Sequence, residues 1–215
     1  MSKYDSYNEN PFSVHQKIIH FVGQNKKVLD VGCSEGTLSK KMFQNNCEVV
    51  GIELDTEAAQ NAKNYCRELI IDDVESVNLK EIYENYFDII VFADVLEHLK
   101  EPLDILTRFK KYLKDDGCVI ISIPNITNWK IRTQILFGKF DYSEYGILDT
   151  GHIRFFNEKS AKKIVNDAGF EISEFDIAVG DVKRFSKIFH SIGMLWPNLL
   201  AFQFLIIAKK KLNNN

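Results

Sequence analysis

Short apolar, β-branched runs alternate along this chain with longer segments whose apolar positions recur at helical spacing. The runs Lys27 to Val31, Cys47 to Ile52, Leu69 to Ile71, Phe87 to Phe92 and Cys118 to Ile123 read as strands. The fourth and fifth are continuously apolar, the pattern of strands buried on both faces of a parallel sheet. Thr37 to Phe43 and Thr56 to Cys66 read as helices, the second with Ala58, Ala59, Ala62 and Tyr65 on one face. Leu103, Leu106, Phe109 and Leu113 recur at helical spacing, with Pro102 near the start and Gly117 marking the end. A later helix runs from Asn157, an N-cap residue type, to Ala168, and Gly169 closes it. Strands at Phe170 to Phe175 and Phe202 to Ala208 complete the pattern. Strand and helix in alternation predict a single-domain α/β fold, a doubly wound Rossmann-like sheet.

Three stretches stand outside that alternation. Residues 1–26 read as an N-terminal helical arm, with Tyr4 and Tyr7 ahead of its helix, and that arm is expected to fold over a ligand. Residues 125–151, carrying Trp129, Phe137, Phe140, Tyr142 and Tyr145, read as a substrate-facing lid. Residues 181–200, with Phe185, Phe189, Met194 and Trp196, are a second insertion that walls a pocket or buries a partner. The tail 209–215 is expected to be disordered. Ile192 to Ala208 is apolar and ends in three lysines, but Pro197, Asn198 and Gln203 interrupt it, and a spanning helix needs about 20 mostly apolar residues. A loop entering the last strand is the first reading of that segment, and peripheral contact with lipid or a lipid-linked substrate is the second.

Composition narrows the class. At 215 residues, with 45% hydrophobic and 27% charged, one domain can bury a core and still hold a ligand crevice. A net charge of -3 without an arginine-rich run disfavours a nucleic-acid partner. Cys33, Cys47, Cys66 and Cys118 show no C-x-x-C pair, and no basic region followed by an apolar stretch opens the chain, so a cytoplasmic protein with reduced thiols is expected.

The chemistry concentrates at two strand ends. Val28-Leu29-Asp30-Val31-Gly32-Cys33-Ser34-Glu35-Gly36 joins an apolar strand to a glycine-bearing turn, and Val49-Val50-Gly51-Ile52-Glu53 ends in a second acid about 20 residues on. A strand-end carboxylate at that offset can take two ribose hydroxyls. A dinucleotide site wants G-x-G-x-x-G around a pyrophosphate, whereas Ser34 stands between Gly32 and Gly36, and Asp30 suits a cationic amine instead. These residues, with Asp73 and Phe87 to Pro102, resemble the successive motifs of class I S-adenosylmethionine-dependent methyltransferases, over most of the chain. Ser34, at a position often glycine in that family, implies a slightly wider turn.

The resemblance implies a seven-stranded sheet with an antiparallel last strand. It implies S-adenosylmethionine as methyl donor and S-adenosylhomocysteine as product, held by Asp30, Gly32, Cys33, Gly36, Glu53, Leu54, Asp73, Val74 and Ala93, with Asp73 on the adenine and Asp72 its alternative.

Phe92-Ala93-Asp94-Val95-Leu96-Glu97-His98-Leu99 leaves the fourth strand where donor and acceptor meet, and His152 lies in the segment that the resemblance returns to the same side. His98 and His152 are the catalytic candidates, because a histidine changes charge near neutral pH and can take the proton of an acceptor hydroxyl. Two other readings stand beside it: a divalent-cation site of Glu97, His98 and His152 with Asp94 contributing, and a capping pair of Asp94 and Glu97 with His98 packed beside it. His15 and His20 read as surface or packing groups on the first helix, and His190 has no supporting constellation.

The expected acceptor is a small or carrier-linked molecule. The phrases around Ser122 to Asn125, Gly138 to Tyr142 and Gly146 to Phe156 resemble bacterial methyltransferases associated with surface-glycan synthesis, which implies a sugar hydroxyl. A quinone-like or other aromatic hydroxyl is the alternative, a hydride-transferring Rossmann enzyme is disfavoured by the missing third glycine, and a non-catalytic donor-binding module is the rival of another class.

Overall fold

A computed structural model describes residues 10–180 and 186–211. Chain order begins with α1 (Val14–Val22), β1 (Lys27–Val31), α2 (Thr37–Gln44), β2 (Glu48–Glu53), α3 (Thr56–Ala62), β3 (Glu68–Ile71) and β4 (Phe87–Ala93). It continues through α4 (Pro102–Phe109), β5 (Leu113–Pro124), α5 (Trp129–Leu136), α6 (Glu158–Asp167), β6 (Phe170–Ala178), α7 (Ser186–Leu195), α8 (Pro197–Leu200) and β7 (Gln203–Lys210). The strands form one seven-stranded sheet of order β3-β2-β1-β4-β5-β7-β6. Pairing is parallel from β3 to β5, and β7 runs antiparallel to both β5 and β6.

Alternation along the inner strands sends successive side chains to opposite faces, and each face is covered by helices. Leu29, Val31, Ile90 and Phe92 meet Leu106 and Phe109 of α4 and Val165 of α6 on one side. Val28, Val49, Ile89 and Val91 meet Ile18 and Val22 of α1 and Met42 of α2 on the other. Strand order reverses between β1 and β4, since β1 leads outward to β2 and β3 while β4 starts the other half. In an open α/β sheet the ligand crevice lies at that reversal, beyond the carboxyl ends of the strands.

Helix α6 begins where the sequence places it: Asn157 accepts from the Ser160 amide and Ser160 returns the bond, and Gly169 closes the end at φ +83. Other expectations shift. Gly117 does not end α4, which stops at Phe109 and passes through a short 3₁₀ turn. Leu113 already pairs with Phe87 as the first residue of β5, and Gly117 lies inside that strand, where a Cβ would stand 2.8 Å from the Asp88 carbonyl oxygen. The helix read over Thr56 to Cys66 ends at Ala62 and tightens into a 3₁₀ turn.

The lid contains α5, and the second insertion contains α7 and α8. Lys209 and Lys210 extend β7 opposite Glu171 and Phe170, so the tail does not begin at residue 209. Tyr4, Tyr7, Phe185 and residues 212–215 lie outside the described residues. The four cysteines are free thiols. Among the described residues no helix is long and apolar enough to cross a membrane.

Candidate active site

The turn after β1 bends through three left-handed residues, Gly32 at φ +67, Ser34 at +49 and Gly36 at +80. At Gly32 a Cβ would stand 2.9 Å from Val95 Cγ2, and at Gly36 it would stand 2.7 Å from Ala62 Cα, so both positions need the bare backbone. Ser34 accepts the same geometry with a side chain. Its amide donates to Glu53 Oε2 at 2.7 Å, while the Asp55 amide donates to Oε1 at 2.9 Å. Glu53 is thereby fixed at the end of β2 before any ligand arrives, and each carboxylate oxygen keeps a lone pair for another donor.

Asp30 is buried at 1% exposure and accepts from Ser39 Oγ at 2.6 Å. Burial pushes its carboxyl up to about 6, against the Ser39 bond and with a further push from the Glu53 charge. A cation placed beside it would reverse that shift.

These groups face a cavity of about 890 Å³ at the reversal between β1 and β4, lined by the expected Asp30, Gly32, Cys33, Glu53, Ala93 and His98. Other expected residues stand elsewhere. Gly36 supports the turn from behind, against α3, and Leu54 is largely exposed. Asp72 and Asp73 both serve the turn after β3, accepting from the amides of Asp73 and Glu75 at 2.8 Å each, and Val74 is buried in the core. None of Gly36, Leu54, Asp73 and Val74 lines the cavity.

His15 does line it, contrary to the surface or packing role expected. It sits beside the core positions Val14 and Ile18 of α1 and feels the Asp94 charge, although burial is the larger influence and lowers its pKa. Helical spacing shows that His15 borders the apolar face of α1, but not that this border faces a cavity. His20 is exposed. His190 lies 2.5 Å from Asp176, beside Lys17, in a cluster that ties α1 and α7 to β6.

At the far end of the cavity β4 runs out at Ala93 and Asp94 turns left-handed, at φ +55. The capping pair is not formed: no side chain caps the 3₁₀ turn Leu96–His98. Asp94 instead accepts from Ser122 Oγ at 2.8 Å and from Gln203 Nε2 at 2.5 Å, which assigns it to β5 and β7. Glu97 is 1% exposed, and neither of its carboxylate oxygens has a hydrogen-bond partner among the described residues. Burial holds its carboxyl well above the usual range, with the charges of Asp94 and Asp149 adding to the shift.

The segment around His152 is stitched onto this turn by its backbone. The amides of Ile153 and Arg154 donate to the Glu97 carbonyl at 2.9 and 3.0 Å, and the Arg154 guanidinium holds the Lys100 carbonyl. His98 Nδ1 lies 2.9 Å from the Gly151 carbonyl oxygen, and His152 Nδ1 lies 3.0 Å from that of Ile147. A carbonyl only accepts, so each Nδ1 carries the proton and each neutral ring keeps its lone pair on Nε2. The two rings pack edge to face with centroids 4.7 Å apart. Burial lowers the His152 pKa, which favours the neutral ring.

Glu97, His98 and His152 each offer one ligand atom, and the three atoms lie within 4.8 Å of one another. A buried carboxylate without donors is costly unless a charge compensates it. The oxygen and nitrogen set, with both imidazoles held in the metal-binding tautomer by carbonyl oxygens, fits a divalent cation. Asp94 is not part of the set.

Comparisons with known proteins bear on the family and the fold. The model of a methyltransferase domain matches residues 7–174. A ubiquinone biosynthesis O-methyltransferase of Actinobacillus pleuropneumoniae serotype 5b is 34% identical over 110 residues, covering 47% of each chain. One of the same name from Psychrobacter arcticus is 30% identical over 167 residues, 73% of this chain and 63% of that protein. The chain thus spans about half the length of the curated relatives it matches first. Among solved structures, a magnesium protoporphyrin IX methyltransferase from Synechocystis with bound S-adenosylhomocysteine superposes with a TM-score of 0.66 at 15% identity, over 97% of this chain and 91% of that one.

Proposed function

This chain belongs to the methyltransferase-domain family, and from that premise we propose that it is an S-adenosylmethionine-dependent O-methyltransferase acting on an aromatic, quinone-like hydroxyl. The observation that carries the acceptor chemistry is the convergence of Glu97, His98 and His152 within 4.8 Å of one another just beyond β4, where His98 lines the cavity and Glu97 and His152 stand behind it. Support for an aromatic over a sugar hydroxyl comes from the relatives named ubiquinone biosynthesis O-methyltransferase.

Asp30 faces the amine of the donor, the turn from Gly32 to Ser34 admits its methionine part, and Glu53 takes the ribose hydroxyls. Ala93 and His98 line the same cavity and would border the methyl group of a donor held in this way. In the transfer the acceptor oxygen forms a bond to the methyl carbon while the carbon–sulfur bond breaks. Its electron pair returns to sulfur as a neutral thioether. Alignment supplies much of the acceleration, and the acceptor's proton must leave. His98 lines the cavity and keeps its lone pair on Nε2, and the Gly151 carbonyl on Nδ1 would stabilise the imidazolium formed when Nε2 accepts that proton. A divalent cation held by Glu97, His98 and His152 would occupy that same Nε2 lone pair, so His98 would no longer be the proton acceptor and the ion would instead lower the pKa of a hydroxyl beside it, the chemistry such an ion supplies.

The test is S-adenosylhomocysteine production with polyprenyl catechols and phenols on one side and sugar nucleotides on the other. Turnover confined to the phenols supports the reading, and turnover confined to the sugars overturns it. Donor binding without product from either panel would return the chain to a non-catalytic role.

A further inference from the structure

We infer that α5 with its following turn and the pair α7–α8 form a docking face for a bilayer surface rich in anionic headgroups. The inference is independent of the acceptor's identity.

The most exposed large apolar side chains, Leu136, Phe137 and Leu195, belong to these segments. Leu136 and Phe137, at the end of α5, are 78% and 77% exposed. Leu195, Trp196 and Leu199 are exposed as well, at the junction of α7 and α8. The two segments are one structural unit: Asn125 donates to the carbonyls of Pro197, Asn198 and Ala201, Thr127 to that of Asn198, and Asn128 to that of Ala201. That unit sits beside the carboxyl end of β5, the edge of the sheet on which the cavity opens.

Charge decides what covers it. Residues 129–140 and 186–202 contain four cations, Lys130, Arg132, Lys139 and Lys187, and neither aspartate nor glutamate, in a chain whose net charge is -3. Apolar side chains flanked by Lys and Arg, with tryptophan at the boundary, suit an interface whose one side is hydrocarbon and whose other side is phosphate. A second copy of this face would oppose cation with cation. Each Lys or Arg near an anionic leaflet strengthens attachment about fivefold, so four of them with the apolar groups give a reversible, peripheral association.

Both tryptophans of the chain, Trp129 and Trp196, lie on this face, 46% and 60% exposed. Intrinsic fluorescence of the whole protein therefore reports directly on the contact. Vesicles of phosphatidylcholine mixed with phosphatidylglycerol should shift the emission to the blue and pull the protein down on sedimentation, whereas pure phosphatidylcholine should bind it at least about tenfold more weakly. Raised salt should weaken the anionic binding. Lys139→Glu should lower partitioning about fivefold or more, and Leu136→Glu combined with Phe137→Glu should abolish the blue shift. These side chains point to solvent, and an unchanged circular dichroism spectrum shows that the fold is kept.

Emission that vesicles leave unchanged, or partitioning that these substitutions do not alter, overturns the inference. So does a protein that elutes as a dimer and becomes a monomer on Phe137→Glu, because a second copy then covers the face. The assay contains neither methyl donor nor acceptor, so its failure leaves the O-methylation reading intact.

Discussion

Nε2 of His152 stands 3.8 Å from Oε1 of Glu97, and burial drives both groups toward their neutral forms. Burial raises the carboxyl pKa and lowers that of the imidazole, so the contact by itself does not form a strong ion pair. A divalent cation would settle both groups at once, by compensating the carboxylate and taking the imidazole lone pair.

The first prediction follows from that contact. Glu97→Gln keeps the shape and removes the charge, so the free protein should melt at the same temperature or higher. Turnover should fall at least about 100-fold, beyond the usual effect of disturbing a ligand's supporting bonds, with S-adenosylhomocysteine affinity unchanged. Chelation of the wild-type protein should produce the same loss, and one divalent ion should restore it. Activity that survives chelation would remove the cation and leave His98 as the proton acceptor.

Glu53 carries the second prediction. Its two oxygens are already held by the amides of Ser34 and Asp55, which orients the remaining lone pairs toward the cavity. Glu53→Ala should weaken S-adenosylhomocysteine binding by about 1.5 to 3 kcal/mol, the scale of hydrogen bonds to a charged group. Isothermal calorimetry checks this, and an unchanged affinity would take Glu53 out of the ribose site.

What the chain reveals before folding is uneven, and the reason is range. Strand ends at Asp30 and Glu53 and the helix cap at Asn157 are local patterns, so periodicity and residue type were enough to place them. The spacing of Asp94 and Glu97 matched a cap, but Asp94 is claimed by Ser122 and Gln203, partners 28 and 109 residues away that no local pattern announces. His98 and His152 were legible as residue types near one site. Their tautomers were not, because the carbonyls of Gly151 and Ile147 that fix them belong to a turn set by the bonds to the Glu97 carbonyl.

A third prediction concerns the turn after β1. Ser34 carries a side chain at φ +49, a conformation that disfavours an L residue by roughly 1–2 kcal/mol. Ser34→Gly removes that strain while adding freedom to the unfolded chain, an opposing effect of about 0.4–1 kcal/mol. The variant should therefore be as stable as the wild type or up to about 1.6 kcal/mol more stable, with donor affinity retained, since the contact to Glu53 is made by the backbone amide. Urea unfolding measures the balance, and marked destabilisation would mean that the hydroxyl, not the amide, holds the turn.

Asp30 gives a prediction in which stability and binding move in opposite directions with pH. Its folded-state pKa of about 6 lies above the ordinary carboxyl value of 3.8, so the folded chain binds the proton more tightly than the unfolded chain. Stability contributed by the protonated form is complete below about pH 4 and is lost as pH rises through about 6, by roughly 3 kcal/mol at most. A cationic amine beside Asp30 prefers the ionised form. Affinity for S-adenosylmethionine should therefore rise toward pH 6, by up to about tenfold per unit, and level off above it. Asp30→Asn can still accept the Ser39 hydroxyl, so it should be more stable than the wild type at pH 8 and no more stable at pH 4, with weaker donor binding that no longer follows this titration. Calorimetric titrations and melting curves across that range give both readouts. A variant whose donor affinity keeps the wild-type pH dependence would show that another group governs it.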